Sequence, residues 1–237
     1  MNKTVGWGIV GCGDVADRKS GPAFNGVPGS RLVSVMRRDG QAAEKFARRH
    51  GATNWTTQAD DVISHPDVDV VYIATPPALH LEYALAVAAA GKACLVEKPA
   101  GRSLAEFRQM YEAFGRASLP LFVSYYRRHL PRFLKVKAIL ESGSLGRIVA
   151  INYRMDKRPR EKGWAVDVAQ SGGGHFYGLA GHMLDLFDDW FGPLEYAGSA
   201  TVNSIPRDTA EAVSYTHLRA HETRYVISYA VFCLKMG

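Results

Sequence analysis

The sequence predicts an α/β protein: a doubly wound parallel sheet over residues 1–122, followed by a second α/β domain over residues 123–211. Apolar runs typical of buried strands alternate with segments of helical periodicity: strands at 4–13, 31–39, 68–75, 93–98 and 120–126, helices at 41–51, 78–92 and 103–117. Strands and helices that alternate at this spacing indicate βαβ units with right-handed crossovers.

Local signals support these elements in turn. The run 68–75 is mostly β-branched, which is typical of a strand covered on both faces. Gly51 follows the helical pattern of 41–51 as a C-terminal cap, and Ser103 with Glu106 forms a capping box ahead of the helix over 103–117. After residue 122 we expect a helix over 130–146, a strand over 147–155 and a glycine-rich segment over 171–192.

Composition favours a cytoplasmic protein without disulfides. The chain is 47% hydrophobic and 22% charged, and it contains no run of 18 apolar residues that would span a membrane. Its first residues enter a strand pattern directly and lack the layout of a signal peptide. Cys12, Cys94 and Cys233 have no metal or redox spacing, so we expect no metal site.

The last residues read as a foreign tail. Val213–Glu222 and Ile227–Leu234 are the in-frame translation of two segments of a commercial sequencing adapter. We therefore expect residues 212–237 to be non-native and the second domain to be partial, so that the 237-residue chain is poorly soluble or inactive. The alternative is a real amphipathic strand, because residues 225–234 alternate passably.

The charge balance fits an anionic small molecule better than a nucleic acid. The tail contains three basic residues and one acidic residue, so its removal changes the net charge from +6 to +4. This mild basic bias suits an anionic cofactor or substrate, and no arginine-rich run with interleaved aromatics points to a nucleic-acid partner.

A glycine motif follows the first strand. "GCGDVA", residues 11–16, has the G-x-G-x-x-A form of the dinucleotide fingerprint of Rossmann domains. Gly11 permits the tight turn, Gly13 lets a pyrophosphate approach the backbone, and Ala16 keeps the helix close to the strand. The alternative is a plain turn before a helix, but the βαβ context favours the nucleotide-binding interpretation.

The end of the second strand predicts the cofactor. An acidic residue there selects NAD, whereas an arginine accommodates the 2′-phosphate of NADP. The sequence reads Arg37 and Arg38 before Asp39, and two guanidiniums are good bidentate partners for a phosphate. We therefore expect NADP(H) to be favoured over NAD(H), with a solvated basic loop end as the alternative.

Taken together, several segments resemble the Gfo/Idh/MocA oxidoreductase family. They are "GIVGCGDVA", "VYIATPPALH", "AGKACLVEKPAG" and "SGGGHFYGLAGHMLDL", in the family's order and approximate spacing up to about residue 205. The resemblance implies a Rossmann domain followed by an α/β substrate domain with a mostly antiparallel open sheet that often forms an oligomer interface. The glycine motif, the two arginines and the resemblance together give the expected cofactor-binding residues: Gly11, Gly13, Asp14, Val15, Ala16, Arg37, Arg38, Thr75, Pro76, His80, Glu97 and Lys98.

The "EKP" segment predicts the main catalytic residue. The resemblance implies that Lys98 lies beside the nicotinamide and the substrate, and that Pro99 is cis. Ligands of open α/β sheets bind at the carboxyl ends of the strands, where partial desolvation would lower the pKa of a lysine towards useful acid–base values. The alternative is a surface lysine in a salt bridge with Glu97.

A second family signature, G-G-G-x-x-x-D-x-x-x-H, is incomplete. Its histidine corresponds to His182, which the resemblance implies is the second catalytic residue in the same pocket, but its aspartate position is Gly178. His175, Tyr177 or Asp185 are candidates to compensate, and Asp185 could instead orient the imidazole of His182. His182 could also be a hydrogen-bonded core histidine.

The expected function is hydride transfer between NADP(H) and a carbonyl or hydroxyl carbon of a sugar-like or cyclitol substrate. The expected substrate-binding residues are Lys98, Tyr126, Arg127, Arg128, His175, Tyr177 and His182. The expected partners are a sugar or polyol and further copies of the chain in a homo-oligomer, without a membrane. Two alternatives stay open: a lyase or glycosidase that uses transient oxidation, and a non-catalytic NADP(H)-binding regulatory protein.

Overall fold

The computed structural model describes residues 4–153, 163–173, 176–203, 212–220 and 226–227. The chain divides into two compact units, residues 1–124 and 125–237, and the sequence predicts this boundary at residue 122. The expected substrate residue His175 lies outside the described residues.

The first unit is built on one parallel sheet of six strands. The strands are β1 (Val5–Val10), β2 (Ser30–Met36), β3 (Asn54–Thr56), β4 (Val70–Ile73), β5 (Ala93–Val96) and β6 (Leu121–Val123). Their order is β3-β2-β1-β4-β5-β6, and every neighbouring pair is parallel. Because the order reverses beside β1, this is the doubly wound Rossmann arrangement, and the predicted fold class is confirmed.

The helices of this unit connect the strands. They are α1 (Gly21–Gly26), α2 (Gly40–His50), α3 (Ala59–Ile63), α4 (His80–Ala89) and α5 (Leu104–Arg116). The predicted caps are present: Gly51 adopts a left-handed conformation with φ +69°, and the Ser103 side chain accepts a hydrogen bond from the backbone N–H of Glu106. The short β3 and α3 have no counterpart in the sequence prediction, because each is too short for a periodic signal.

Two apolar clusters cover the two faces of the sheet. One contains Val71, Ile73 and Val96 from the strands with Met110 and Phe114 from α5. The other contains Ile9, Val35 and Tyr72 with residues of α1 and α2. The central strands are therefore buried on both faces, which is why they read as continuous apolar runs.

The second unit contains three α-helices and four strands among the described residues. They are α6 (Pro131–Glu141), β7 (Ala150–Ile151), α7 (Val168–Ser171), α8 (Gly181–Phe191), β8 (Leu194–Asn203), β9 (Ala212–Ala220) and β10 (Val226–Ile227). The strands are ordered β7-β10-β9-β8; β9 is antiparallel to both of its neighbours, and β10 is parallel to β7. The strand expected over 147–155 is only two residues long in its described part.

Helix α8 carries the core of the second unit. Its residues Met183, Leu186, Phe187 and Phe191 recur at helical spacing and are buried, with apolar side chains of α6 and β7 packed against them. Strands β9 and β10 fall within the segment predicted to be foreign. A native segment and a translated adapter could both form these backbone hydrogen bonds, so the foreign origin of residues 212–237 stays a prediction.

Candidate functional site

The carboxyl ends of three adjacent strands bring the predicted motifs of the first unit together. β4 lies between β1 and β5, so the glycine turn after β1, Thr75 after β4 and the Glu97–Lys98 segment after β5 share one edge of the sheet. This edge is where open α/β sheets bind their ligands.

The two glycines of the turn have different surroundings: Gly11 is tightly packed, whereas Gly13 leaves room for a ligand. Gly11 has φ +93°, and a Cβ atom there would lie 2.8 Å from Cγ2 of Thr75. Among the residues that the structure describes, a Cβ atom at Gly13 would meet only the Gly11 carbonyl oxygen, at 3.9 Å. The first glycine is thus required for the turn, and the second keeps the backbone open to close approach.

The residues after the turn divide between surface and core. Asp14 and Val15 are exposed, whereas Ala16 is buried in the cluster around Ile9 and keeps the helical segment close to the sheet. Cys12 is also buried, and burial raises the pKa of its thiol to about 11, so the thiol stays protonated at neutral pH.

Thr75 provides a further indication that a polar group binds here. Its hydroxyl is buried and has no hydrogen-bond partner within the described part of the chain. Buried hydroxyls are normally satisfied, so a vacant one beside an open glycine turn fits a dinucleotide. Pro76, the next residue, is half-buried in an extended conformation.

The two arginines after β2 diverge. Nη1 of Arg37 lies 3.5 Å from the Cys12 carbonyl oxygen, at the glycine turn. Arg38 instead lines a cavity of about 530 Å³, together with Met36, Thr57, Gln58, Ala59, Asp60, Glu82 and Tyr83. Asp39 accepts a hydrogen bond from the backbone N–H of Ala42 at 3.1 Å and so caps α2.

The Glu97–Pro99 segment is fixed by several hydrogen bonds. The Lys98–Pro99 peptide bond is cis, which confirms that prediction. Glu97 is only 8% exposed; its carboxylate accepts hydrogen bonds from the Tyr72 hydroxyl at 2.8 Å and from the backbone N–H of Lys98 at 3.1 Å. Glu97 therefore acts within the protein core, which argues against direct contact with a cofactor, and Lys98 is half-buried at the strand end.

His80 has a different role from the expected one. It is fully buried, so it cannot contact a cofactor directly. Its ring nitrogens lie 2.9 Å from the Pro99 carbonyl oxygen and 2.8 Å from that of Thr75. Burial lowers the pKa of His80, so the ring is neutral at pH 7 and donates to one of these carbonyls. It joins the segment after β4 to the segment after β5.

In the second unit, His182 lies at the start of α8 against two tyrosines. Its side chain is buried, and its ring centroid lies 5.1 Å from that of Tyr126 and 5.9 Å from that of Tyr125, both edge-on. Burial raises the pKa of Tyr125, so that hydroxyl stays protonated. Lys98 and His182 belong to different units, and their expected convergence on one pocket stays a prediction.

Arg128 and Asp185 pair with each other through two contacts. Arg128 donates from Nε to Asp185 Oδ2 at 2.8 Å, and its Nη2 lies 2.7 Å from Asp185 Oδ1. Its Nη1 also bonds Asp189, which in turn pairs with Lys137. Both groups are thus engaged in an ion-pair network with α8. Substrate contact by Arg128 and orientation of His182 by Asp185 stay predictions.

Arg127 and Tyr177 are placed differently from Arg128. The Arg127 guanidinium contacts the Met183 sulfur at 3.6 Å and the Phe133 ring at 5.9 Å, and within the described residues its buried Nε has no hydrogen-bond partner. Tyr177 is 40% exposed, and its ring lies directly on the Gly173 backbone. Gly178 has open space where a side chain would begin.

Sequence reasoning missed Tyr72 and Ser20. Tyr72 OH lies 3.1 Å from Ser20 Oγ, in the helical turn that follows the glycine motif. The available signal was a hydroxyl within the apolar run 68–75, because a buried tyrosine requires a hydrogen-bond partner. Among the described residues, no group of three His, Cys, Asp or Glu side chains is arranged to hold a metal ion.

Comparison with known proteins identifies both halves of the chain. The family model GFO_IDH_MocA, described as an oxidoreductase family with an NAD-binding Rossmann fold, matches residues 5–125. The GFO/IDH/MocA C-terminal domain model matches residues 133–233, which extends into the predicted foreign tail.

Curated relatives are named as oxidoreductases. Oxidoreductase P35 of Formosa agariphila is 40% identical over 214 residues, which cover 86% of this chain and 67% of the relative. The 1,5-anhydro-D-fructose reductase of Ensifer adhaerens is 28% identical, over 89% of this chain and 60% of the relative.

A solved structure of levoglucosan dehydrogenase with NADH and levoglucosan superposes with a TM-score of 0.82 and 27% identity. The match covers 94% of this chain and 65% of that one. The chain thus spans about three fifths to two thirds of the length of these relatives. In the described part of the chain, no helix has the length and apolar character needed to cross a membrane.

Proposed function

The chain belongs to the Gfo/Idh/MocA oxidoreductase family, and from this premise we propose that it is an oxidoreductase that prefers NADP(H) and acts on a sugar-like or cyclitol substrate. A hydride would pass between nicotinamide and a carbonyl or hydroxyl carbon. The observation that carries the proposal is the position of Lys98: it follows β5 on a cis peptide segment, at the same sheet edge as the open glycine turn and the vacant Thr75 hydroxyl.

The residues at this edge suit an anionic dinucleotide. Gly13 gives the pyrophosphate access to backbone N–H groups at a helix start, and the Thr75 hydroxyl is available to the same ligand. When bound, the nicotinamide supplies or accepts the hydride.

Lys98 and His182 perform the acid–base chemistry in this proposal. In reduction, the Lys98 ammonium donates a proton to the substrate carbonyl oxygen; in oxidation, the neutral amine takes the proton of the hydroxyl. His182 supports this transfer, and Tyr126, beside its ring, is a substrate-contacting residue. The substrate class is supported by relatives named for levoglucosan and 1,5-anhydro-D-fructose.

The NADP(H) preference is supported by the residues after β2. Arg38 faces a cavity large enough for part of a nucleotide, and its guanidinium is a suitable partner for a 2′-phosphate. Asp39, which could have bound a free ribose diol, already caps α2.

Lys98→Ala tests the catalytic role. We expect this change to lower kcat by about 100-fold or more, because general acid–base catalysis contributes about 10² to 10⁴. NADPH absorbance is followed with 1,5-anhydro-D-fructose, and NADP⁺ reduction with levoglucosan. Lys45→Ala, an exposed lysine on α2, serves as the control.

The assay is run on two proteins. One is the 237-residue chain, and the other has the residues that the genomic locus encodes after residue 211. Turnover by Lys98→Ala at the rate of the unsubstituted protein would contradict the role of Lys98. Absence of turnover in both unsubstituted chains across a panel of sugars and polyols would contradict the function.

Arg38→Ala tests the cofactor preference. Loss of a phosphate partner is expected to raise the Kd of NADPH about tenfold or more while leaving that of NADH within about twofold. Fluorescence of the bound dinucleotides gives both constants. Arg48→Ala on α2, an exposed arginine, is the matched control, and an equal loss for both dinucleotides in Arg38→Ala would contradict the preference.

A second candidate is favoured by Gly178. Where the family signature has a carboxylate, this chain has none, although the site has room for a side chain. A lyase or glycosidase that oxidises its substrate only transiently would show substrate cleavage without net change in NADPH absorbance. A regulatory NADP(H)-binding protein would show tight binding and neither reaction.

The expected homo-oligomer is tested by light scattering on the protein that the genomic locus encodes.

A further inference from the structure

Tyr72 lies at the centre of the sheet but carries a polar group. It belongs to β4, has no accessible surface, and packs with Ile9 and Phe24 in one of the two apolar clusters. Its hydroxyl donates to Glu97 Oε1 at 2.8 Å and lies 3.1 Å from Ser20 Oγ. A phenylalanine would fill nearly the same volume, so the hydroxyl has a purpose other than packing.

The hydroxyl acts on the residue next to Lys98. Glu97 continues the pairing of β5 with β4, because its backbone N–H donates to the Ile73 carbonyl at 2.9 Å. One oxygen of its buried carboxylate accepts the Tyr72 hydroxyl, and the other accepts the Lys98 backbone N–H. The carboxylate thus connects the sheet interior with the backbone of Lys98.

We propose that Tyr72 is a positioning residue for Lys98, acting through the Glu97 carboxylate. The inference rests on the proposed function, in which Lys98 is the acid–base group. Without the hydroxyl, the buried Glu97 carboxylate would lose one of the two donors that the described residues provide, and it would turn to replace it. The Lys98 backbone would then be held less tightly, and a small displacement of a catalytic group is costly to the rate.

The same hydroxyl connects the lysine with the cofactor side of the sheet. Ser20 lies in the helical turn Ala16–Ser20, which begins at the last residue of the glycine motif. Contacts therefore run from Ser20 through Tyr72 and Glu97 to Lys98, across the ends of β1, β4 and β5. Because Tyr72 reaches Lys98 through side chains and not through ligand contact, its loss is expected to change kcat more than dinucleotide affinity.

Tyr72→Phe is the central test, with Tyr111→Phe, an exposed tyrosine on α5, as its control. Amide hydrogen exchange by NMR is expected to be about tenfold faster at Lys98 and unchanged at Ile9 of β1, as expected for loss of a hydrogen bond to a charged group. With NADPH and 1,5-anhydro-D-fructose, kcat is expected to fall about tenfold, with the NADPH Kd within about twofold of the original. Tyr111→Phe is expected to change none of these.

A Glu97→Ala background shows whether Tyr72 acts through the carboxylate. In that background, Tyr72→Phe is expected to cause no further loss of kcat. A second full loss there would overturn the proposal, and so would unchanged Lys98 exchange in Tyr72→Phe or equal acceleration at Lys98 and Ile9. If the unsubstituted protein has no turnover, the proposed function fails, while the exchange measurement still decides the role of Tyr72.

Discussion

Gly173 and Gly178 lie in the same glycine-rich segment, but a methyl group would meet different surroundings at the two positions. At Gly173 the new Cβ atom would overlap the Tyr177 ring, whereas at Gly178 it would meet no atom of the described residues within 4 Å beyond the adjoining backbone. The pair isolates the effect of local space on stability, because the chemical change is identical.

Gly178→Ala is expected to leave stability unchanged or raise it by about 0.4 to 1 kcal/mol, because alanine restricts the unfolded chain. Gly173→Ala is expected to lower stability by about 1 to 3 kcal/mol, since the Tyr177 ring must move. Urea unfolding of both variants gives the comparison. Equal midpoints would show that the ring of Tyr177 is easily displaced.

At the scale of elements, an ion-pair network attaches the turn Tyr126–His129 to α8. Arg128 binds Asp185 with two nitrogens, and the Asp185 side chain is only 10% exposed. Removing the arginine leaves a buried carboxylate without its main partner. The exposed pair Arg116–Glu112 on α5 provides a contrast, with side chains 73% and 62% exposed.

We therefore expect Arg128→Ala to destabilise the second unit by about 2 to 3 kcal/mol, and Arg116→Ala to change stability by less than about 0.5 kcal/mol. Chemical denaturation followed by tryptophan fluorescence, to which Trp190 on α8 contributes, measures the first effect. A loss for Arg128→Ala as small as that for Arg116→Ala would mean that the network contributes little to docking of α8.

A second link between elements depends on pH. The ring Nε2 of His50, at the end of α2, lies 2.6 Å from the Asp17 carboxylate in the turn after the glycine motif, and Arg49 lies 3.0 Å from it. The hydrogen bond with His50 and the charge of Arg49 outweigh burial and lower the pKa of Asp17 from its ordinary 3.8. The carboxylate thus stabilises the fold above that ordinary value, and the contribution is lost as the pH falls through the lowered folded-state pKa.

Asp17→Asn is accordingly expected to reduce stability at pH 7 and to weaken the decline of stability below pH 4. Urea midpoints at pH 7, 5, 4 and 3 measure this dependence. Asp67→Asn, whose ion pair with Arg31 is exposed and 3.8 Å long, is the control. The same pH dependence in Asp17→Asn as in the unsubstituted protein would exclude this link as a source of acid sensitivity.

At the scale of the whole molecule, the first unit has everything that an independent domain requires. Residues 1–124 contain the complete six-stranded sheet and both apolar clusters on its faces. We expect this fragment to fold cooperatively and to bind NADPH within about tenfold of the full chain's affinity. Circular dichroism and NADPH fluorescence check both parts, and an unfolded fragment would show that the sheet depends on the second unit.

The origin of the C-terminal segment is also open to direct measurement. We expect the genomic locus to encode a sequence that departs from the printed one at about residue 212. Amplification and sequencing across this position give the answer. A locus that encodes the same amino acids as the given sequence through residue 235 would contradict the expectation.

The sequence predicted the first unit better than the second, for physical reasons. Continuous apolar strands and capped helices are local signals, so the Rossmann sheet could be predicted from short segments. The Lys98–Pro99 cis peptide could be expected only from the family resemblance of the segment that contains it. The partners of Arg128 and the burial of His80 depend on tertiary packing: Asp185 lies 57 positions from Arg128. Charged and aromatic residue types alone do not indicate which groups point inward.

The cap of α2 has a consequence for protein engineering. Asp39 already satisfies an amide at the start of that helix. If the protein prefers NADP(H) as proposed, replacing the neighbouring arginines would therefore weaken binding of the 2′-phosphate without creating a binding site for the unmodified ribose. An NADH-dependent version would require a newly introduced acid on the wall that Arg38 now lines, with the helix start left intact.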